Sequence, residues 1–342
     1  MFFIPDCFKI KYIGIDRLRL IESSHQYVLI MFTLVAFISC KLSNNNNKIS
    51  PPNVIFIMMD DLGYGQFGVF SDSITIADFP PFFVKLVDRL QGYSLDKSLE
   101  FSKRAMPTLK SLSENGLLFN KAFSSSSLCA PSRVGIATGA YQNKLGFYTN
   151  TDVESKGIEK GSHLVEQLKK LSYNTAHIGK WHIGRRDKTL INGILEKHDL
   201  SSVKRWSRFR NTHPQAYNEI INSGYLGSVR NEHHPLNNGF DYYYGIPYSN
   251  DMDAIKNGVG CCVGQNYWAQ YELEELNSNN YNVPLIENND VIERPADQTT
   301  ITKRYSHKAV EFIRQNKSNK FFVYLAHSLP HIPLYASKEF LG

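Results

Sequence analysis

The sequence predicts an α/β fold with a mostly parallel sheet flanked by helices, on three observations. Short apolar runs at 54–59 and 321–325 have the length and continuity of strands buried on both faces, and 175–178 reads as a third short strand. Segments of helical periodicity alternate with them. Each run ends directly in residues able to do chemistry, "DD", "KWH" and "HSLPH". Ligands of open α/β sheets bind beyond the C-terminal strand ends, so the three endings point to one site.

With 342 residues, 42% of them apolar and 20% charged, the chain can bury a large core. A net charge of +6 spread along this length does not imply nucleic acid. The local exception is "KRWSRFR" at 204–210, where bases alternate with aromatics; it reads as a solvated insert or as a strip for a polyanionic substrate.

Residues 1–50 form an atypical N-terminus. Positions 27–39, "YVLIMFTLVAFIS", are an apolar run too short to span a bilayer and of the length of a signal-peptide core. Cys40 follows, then an Asn-rich polar stretch that reads as a tether. An apolar core, a cysteine and a tether resemble a bacterial lipoprotein junction, although Phe37 and Ile38 depart from its small-residue cleavage site. The expectation is an exported protein: periplasmic, membrane-anchored through a lipid on Cys40, or secreted. Cys7, Cys40, Cys129, Cys261 and Cys262 make no disulfide framework, and Cys129 has no evident partner.

From position 51 the elements follow in order. The run 54–59 is expected to be a buried strand ending at Asp60 and Asp61, and 107–115 a helix stopped by Gly116. A short strand is expected next, leading into "SSSSLCAPSRVGIATG" at 124–139. There Pro131 suits the first turn of a helix, which places Cys129 at the helix N-terminus with Arg133 about one turn on. Unpaired N–H groups and the positive end of the helix dipole favour an anion at that spot. By itself a lone cysteine there is more often structural.

Ser162 is expected to cap a helix carrying Leu164, Val165, Leu168 and Leu171 on one face, followed by the strand 175–178 and then Lys180 and His182. Residues 185–235, polar and weakly periodic, read as an excursion. Near the C-terminus a helix with Ile301, Tyr305, Ala309, Phe312 and Ile313 on one stripe precedes the strand 321–325, with His327 and His331 beyond it. Adjacent carboxylates at a strand end offer hard oxygen ligands for Ca²⁺ or Mg²⁺, although singly they more often serve a turn.

"CAPSR", "DDLGYG", "IGKWHIG", "NNGFDYYYGIPYSND" and "PHIPL", in this chain's order of strand ends and loops, resemble the sulfatase family of the alkaline-phosphatase-like superfamily. The resemblance runs from about Asn53 to the end, with longer stretches than usual between Gln66 and Met106 and between Arg185 and His233. Ala137 and Ala140 depart from the family's extended first motif without touching reacting atoms.

The resemblance implies that residues 51–342 are the N-terminal part of a sulfatase catalytic domain. It implies that Cys129 is oxidised to formylglycine by a maturation enzyme and hydrates to a geminal diol. On the same resemblance, one hydroxyl would attack sulfur and the other would later expel sulfate. Asp60, Asp61 and residue 129 would hold Ca²⁺, Arg133 and Lys180 would stabilise charge, and His182 would act as base. Ser249 and His331 would contact the sulfate of a sulfate ester, including one on a sulfated polysaccharide. Family members continue to a later strand ending in an Asp-Asn pair that completes the metal site, to a further lysine and to a smaller C-terminal domain, so a truncated chain, lacking later strands, is expected. Two alternatives stay open: an exported, non-catalytic binder of sulfate or polyanions, and a phosphate or phosphonate monoester hydrolase. The intact "CAPSR" and "GIPYSND" stretches favour sulfate.

Overall fold

The computed structural model describes residues 51–340, apart from 88, 90–93, 186–188, 203–208, 210, 223–230 and 252–282. The apolar run 27–39, Cys40 and the Asn-rich tether, Cys7, Cys261 and Cys262, and the basic residues of 204–210 therefore lie outside the described residues. The chain divides between Pro51 and Pro52, and the elements below belong to the second unit. Among the described residues no helix is long and apolar enough to cross a membrane.

In chain order the elements are β1 (Val54–Met58), α1 (Pro81–Val87), α2 (Leu95–Arg104), α3 (Pro107–Asn115), α4 (Cys129–Thr138), α5 (Asn150–Lys156), α6 (Leu164–Lys170), β2 (Asn174–Gly179), α7 (Thr189–Lys197), α8 (Pro214–Asn222), β3 (Tyr242–Gly245), β4 (Leu285–Glu287), β5 (Asp290–Glu293), α9 (Ile301–Gln315) and β6 (Phe321–Ala326). The strands form one sheet in the order β1-β6-β2-β3-β4-β5. The β1–β6, β6–β2 and β2–β3 pairings are parallel, and β3–β4 and β4–β5 are antiparallel. The α/β class and the mostly parallel inner sheet are as the sequence predicts.

Side-chain alternation on β6 separates two cores. Phe322, Tyr324 and Ala326 face one side, with Ala130 and Val134 of α4, Val165 of α6, Trp181 and Phe240. Phe321, Val323 and Leu325 face the other, where Ile301, Tyr305, Ala309 and Phe312 lay the apolar stripe of α9 against Ala176 and Ile178 of β2. A strand buried on both faces needs this unbroken apolar run.

Three expectations are corrected. β1 forms, but Ile55 and Ile57 are 49% and 52% exposed. It lies at one margin of the sheet, and an apolar run dictates extension, not what covers it. No strand forms after Gly116: Leu117, Phe119 and Phe123 are exposed in irregular chain. The N-cap of α6 is His163, not Ser162, and Leu164 and Leu171 face solvent while Val165 and Leu168 pack inward. In the described part of the excursion, Ile194, Leu195, Phe209, Ala216 and Tyr217 build a small apolar cluster with α7 and α8.

Candidate active site

Four segments leave their secondary structure at the same end of the sheet and remain tied together. His327 N–H donates to the Met58 carbonyl at 2.8 Å, and Lys180 N–H to the Ala326 carbonyl at 2.8 Å. Trp181 and His182 N–H donate to the carbonyls of Ile246 and Pro247, each at 3.0 Å. The ladder thus continues past the strand ends and fixes the residues that follow. Gly179 makes this approach possible: at φ 118°, a Cβ there would lie 1.8 Å from the Ala326 carbonyl oxygen.

At the centre Asp60 is buried and paired twice. Lys180 Nζ donates to its Oδ2 at 2.6 Å, and Arg133 Nη2 to its Oδ1 at 3.0 Å. Burial alone would raise the Asp60 carboxyl, but the two cations outweigh it and hold the group well below the usual carboxylate range. Lys180 Nζ also donates to Ser249 Oγ at 3.0 Å, and Arg133 Nη1 donates to the Lys180 carbonyl. Asp60, Arg133, Lys180 and Ser249 therefore form one continuous buried network.

Cys129 opens α4 as a free thiol, half-buried, with Asn150 Nδ2 3.5 Å from its Sγ. Burial pushes the thiol up, yet the neighbouring His182 and Lys180 pull it down to about 6. These surroundings stabilise negative charge at position 129. His182 is buried, with Nε2 3.4 Å from Glu154 Oε1 and its backbone at φ 55°. Asp61 also has positive φ, at 60°, and turns away from Asp60: it is exposed, 3.7 Å from His331 Nε2. His331 Nδ1 donates to the Ile332 carbonyl at 2.6 Å, and Asn250 Nδ2 donates to the His331 carbonyl at 3.4 Å.

An anion-stabilising helix start, two buried cations and a histidine thus share one end of the sheet, and the family model described as Sulfatase matches residues 52–342. The chain belongs to the sulfatase family. N-acetylgalactosamine-6-sulfatase of Rattus norvegicus is 26% identical over 314 residues, which is 85% of this chain and 42% of that protein. Arylsulfatase G of Rattus norvegicus is 25% identical over 312 residues, 88% of this chain and 45% of that protein. The chain spans less than half the length of these curated relatives. A solved structure concerned with the metabolism of multiple glycosaminoglycans by Bacteroides thetaiotaomicron has a TM-score of 0.50 at 18% identity, covering 85% of this chain and 54% of that one. That likeness shows the fold, the mixed sheet with flanking helices of the alkaline-phosphatase-like sulfatases.

Sulfatases are generally formylglycine-dependent and Ca²⁺-binding. Residue 129 of this sulfatase chain fits the first requirement, being an unpaired cysteine at a helix start inside an intact "CAPSR". The second is not met by the described residues. Both oxygens of Asp60 are engaged by cations, Asp61 turns outward, and no group of three His, Cys, Asp or Glu side chains converges among the described residues. Ca²⁺ takes about six to eight oxygen ligands. No step below is routed through a metal.

Asn150 and Glu154 reach the site from α5, and the motif reading of the sequence passes over both. The local signal was present: Thr149 and Asp152 form a capping box, with Thr149 Oγ1 accepting from Asp152 N–H at 3.2 Å. Reading it would have announced the helix and put positions 150 and 154 on one face.

Proposed function

We propose that this chain carries the sulfuric ester hydrolase chemistry of its family, with sulfated carbohydrates as the substrate class. The observation that bears most weight is the setting of Cys129, at the start of α4 and beside His182 and Lys180, which pull its thiol down to about 6 against the effect of burial. Converted to formylglycine, residue 129 would supply a geminal diol, one hydroxyl for accepting the sulfuryl group and one for expelling sulfate.

The chain's own residues then divide the work. Arg133 and Lys180 place fixed positive charge beside residue 129 and stabilise the negative charge that builds on the transferred group. His182, buried and adjacent to residue 129, takes the proton from the hydroxyl that collapses to the aldehyde. Ser249 and His331 are assigned the sulfate-side contacts. The first curated relative is by name an N-acetylgalactosamine-6-sulfatase, which supports a sulfated sugar. The proposal includes export directed by residues 27–39 and maturation by a formylglycine-generating enzyme.

The test is co-expression with a formylglycine-generating enzyme, followed by peptide mass spectrometry at position 129 and assays on 4-nitrophenyl sulfate, 4-nitrophenyl phosphate and N-acetylgalactosamine 6-sulfate. The expected peptide has lost sulfur and two hydrogens and gained one oxygen, and turnover is expected on the sulfates and abolished in Cys129→Ala. Preference for the phosphate ester favours the phosphomonoesterase alternative. An aldehyde at 129 with sulfate binding but no turnover of any ester favours the binder.

A further inference from the structure

α5 is a two-turn helix pinned at both ends. The Asp152 carboxylate accepts from the N–H groups of Tyr148 and Thr149 at 2.9 and 2.8 Å, closing the N-terminus. At the other end the Lys156 carbonyl accepts from Arg185 Nε at 3.0 Å, and Lys156 Nζ donates to the Gly146 carbonyl at 3.0 Å. Val153 is fully buried in the core against which α4 also packs. Such a helix is a rigid mount beside the reacting segment.

From it two polar side chains four residues apart reach inward. Asn150 Oδ1 accepts from the Ala130 N–H at 3.2 Å, one of the unpaired donors at the start of α4, while its Nδ2 stands 3.5 Å from Cys129 Sγ. Glu154 Oε1 stands 3.4 Å from His182 Nε2. A carboxylate accepts only, so the neutral ring carries its proton on Nε2 and its lone pair on Nδ1, an atom that is buried and makes no hydrogen bond. His182 also has a left-handed backbone, costly for a non-glycine residue, so surrounding contacts must hold it in place.

We infer that Asn150 and Glu154 are positioning residues for sulfate ester hydrolysis: Asn150 seats the side chain of residue 129 at the start of α4, and Glu154 fixes the tautomer and orientation of His182. The inference rests on the function proposed above. Neither residue meets the substrate; each acts through the neighbour it holds.

Three measurements test it. In the ¹⁵N-labelled, unmodified chain, the imidazole spectrum at pH 8 should show a hydrogen-bonded Nε2 proton on His182, lost in Glu154→Ala and moved upfield in Glu154→Gln, which retains a neutral acceptor. Persistence of that proton unchanged in both variants overturns the role of Glu154, and the glutamine variant decides if the alanine variant does not fold. Iodoacetamide labelling of residue 129 at the same pH, followed by mass spectrometry, should change by about threefold or more in Asn150→Ala and less in Asn150→Asp, and an unchanged rate overturns the role of Asn150. In the formylglycine-bearing chain, both alanine variants should lower kcat on 4-nitrophenyl sulfate by about tenfold or more while KM stays within about twofold. Unaltered kcat overturns the inference. If the parent itself turns over no sulfate ester, the function proposed above fails, whereas the ring spectrum and the labelling rates still decide whether α5 positions residues 129 and 182.

Discussion

Asp60 and Lys180 follow two strands that β6 separates in the sheet, and their side chains meet at 2.6 Å with both almost wholly buried. Arg133 joins the same carboxylate from α4 at 3.0 Å. One carboxylate therefore compensates two buried cations, and the ends of β1, β2 and α4 are held by a single charge balance.

Asp60→Ala leaves Arg133 and Lys180 buried without their counter-ion. Breaking a buried pair in this way costs about 3–5 kcal/mol. An unfolding free energy, from urea titration, reduced by that amount is expected, and a loss below about 1 kcal/mol would show that the two cations find other partners.

Gly179→Ala brings a methyl group to 1.8 Å from the Ala326 carbonyl oxygen at φ 118°, where neither backbone can yield without opening the β2–β6 ladder. Gly161 has φ 90° with nothing within 4 Å of its Cβ position. Gly161→Ala is expected to cost only the backbone strain, about 1 kcal/mol, and Gly179→Ala several times more or the fold itself. Equal melting temperatures for the two variants would contradict the close approach described above.

Burial holds His163, His234 and His327 down to about 4, and buried His177 well below its usual 6.5. The unfolded chain binds protons on these rings below about 6.5, while the folded chain resists until the lower values are reached. Stability is thus fully present above pH 6.5 and is lost as pH falls from there toward 4, at about 1.4 kcal/mol per pH unit for each ring. Urea midpoints measured from pH 7.5 to 4.5 should decline in that window, and His327→Gln should decline less steeply. A constant midpoint between pH 7 and 5 contradicts the assignment of these rings as neutral.

Thr149→Ala removes the N-cap oxygen that accepts from Asp152 N–H. The expected cost is about 1 kcal/mol. Because the same helix carries Asn150 and Glu154, amide exchange should quicken across α5 before it changes in β6, and uniform exchange would place the loss outside the cap.

Local rules made several elements legible. Pro107 and Gly116 bracket α3 because one fits a first turn and the other stops a helix, and the stripe from Ile301 to Phe312 marks the buried face of α9. Cys129, Arg133, Lys180 and His182 were also readable, since strand ends and a helix start announce themselves in short stretches of sequence, whereas Ser249 came from the family resemblance alone. Asn150 and Glu154 were not: an asparagine and a glutamate in a polar segment look like any solvated surface until the helix is placed against α4.

The sequence by itself determined the α/β class, the strands that end in chemistry and the family, because apolar continuity, helical period and motif spacing are local properties of the chain. Tertiary structure alone decided which of two adjacent aspartates is buried. Asp60 turns inward to two cations, whereas Asp61, one residue on and at φ 60°, faces solvent and His331. It also decided that the apolar β1 lies at the sheet margin with Ile55 and Ile57 exposed. Both outcomes depend on which distant segments arrive beside a residue, and that is set by pairing and packing across the whole sheet, not by the residue's neighbours in sequence.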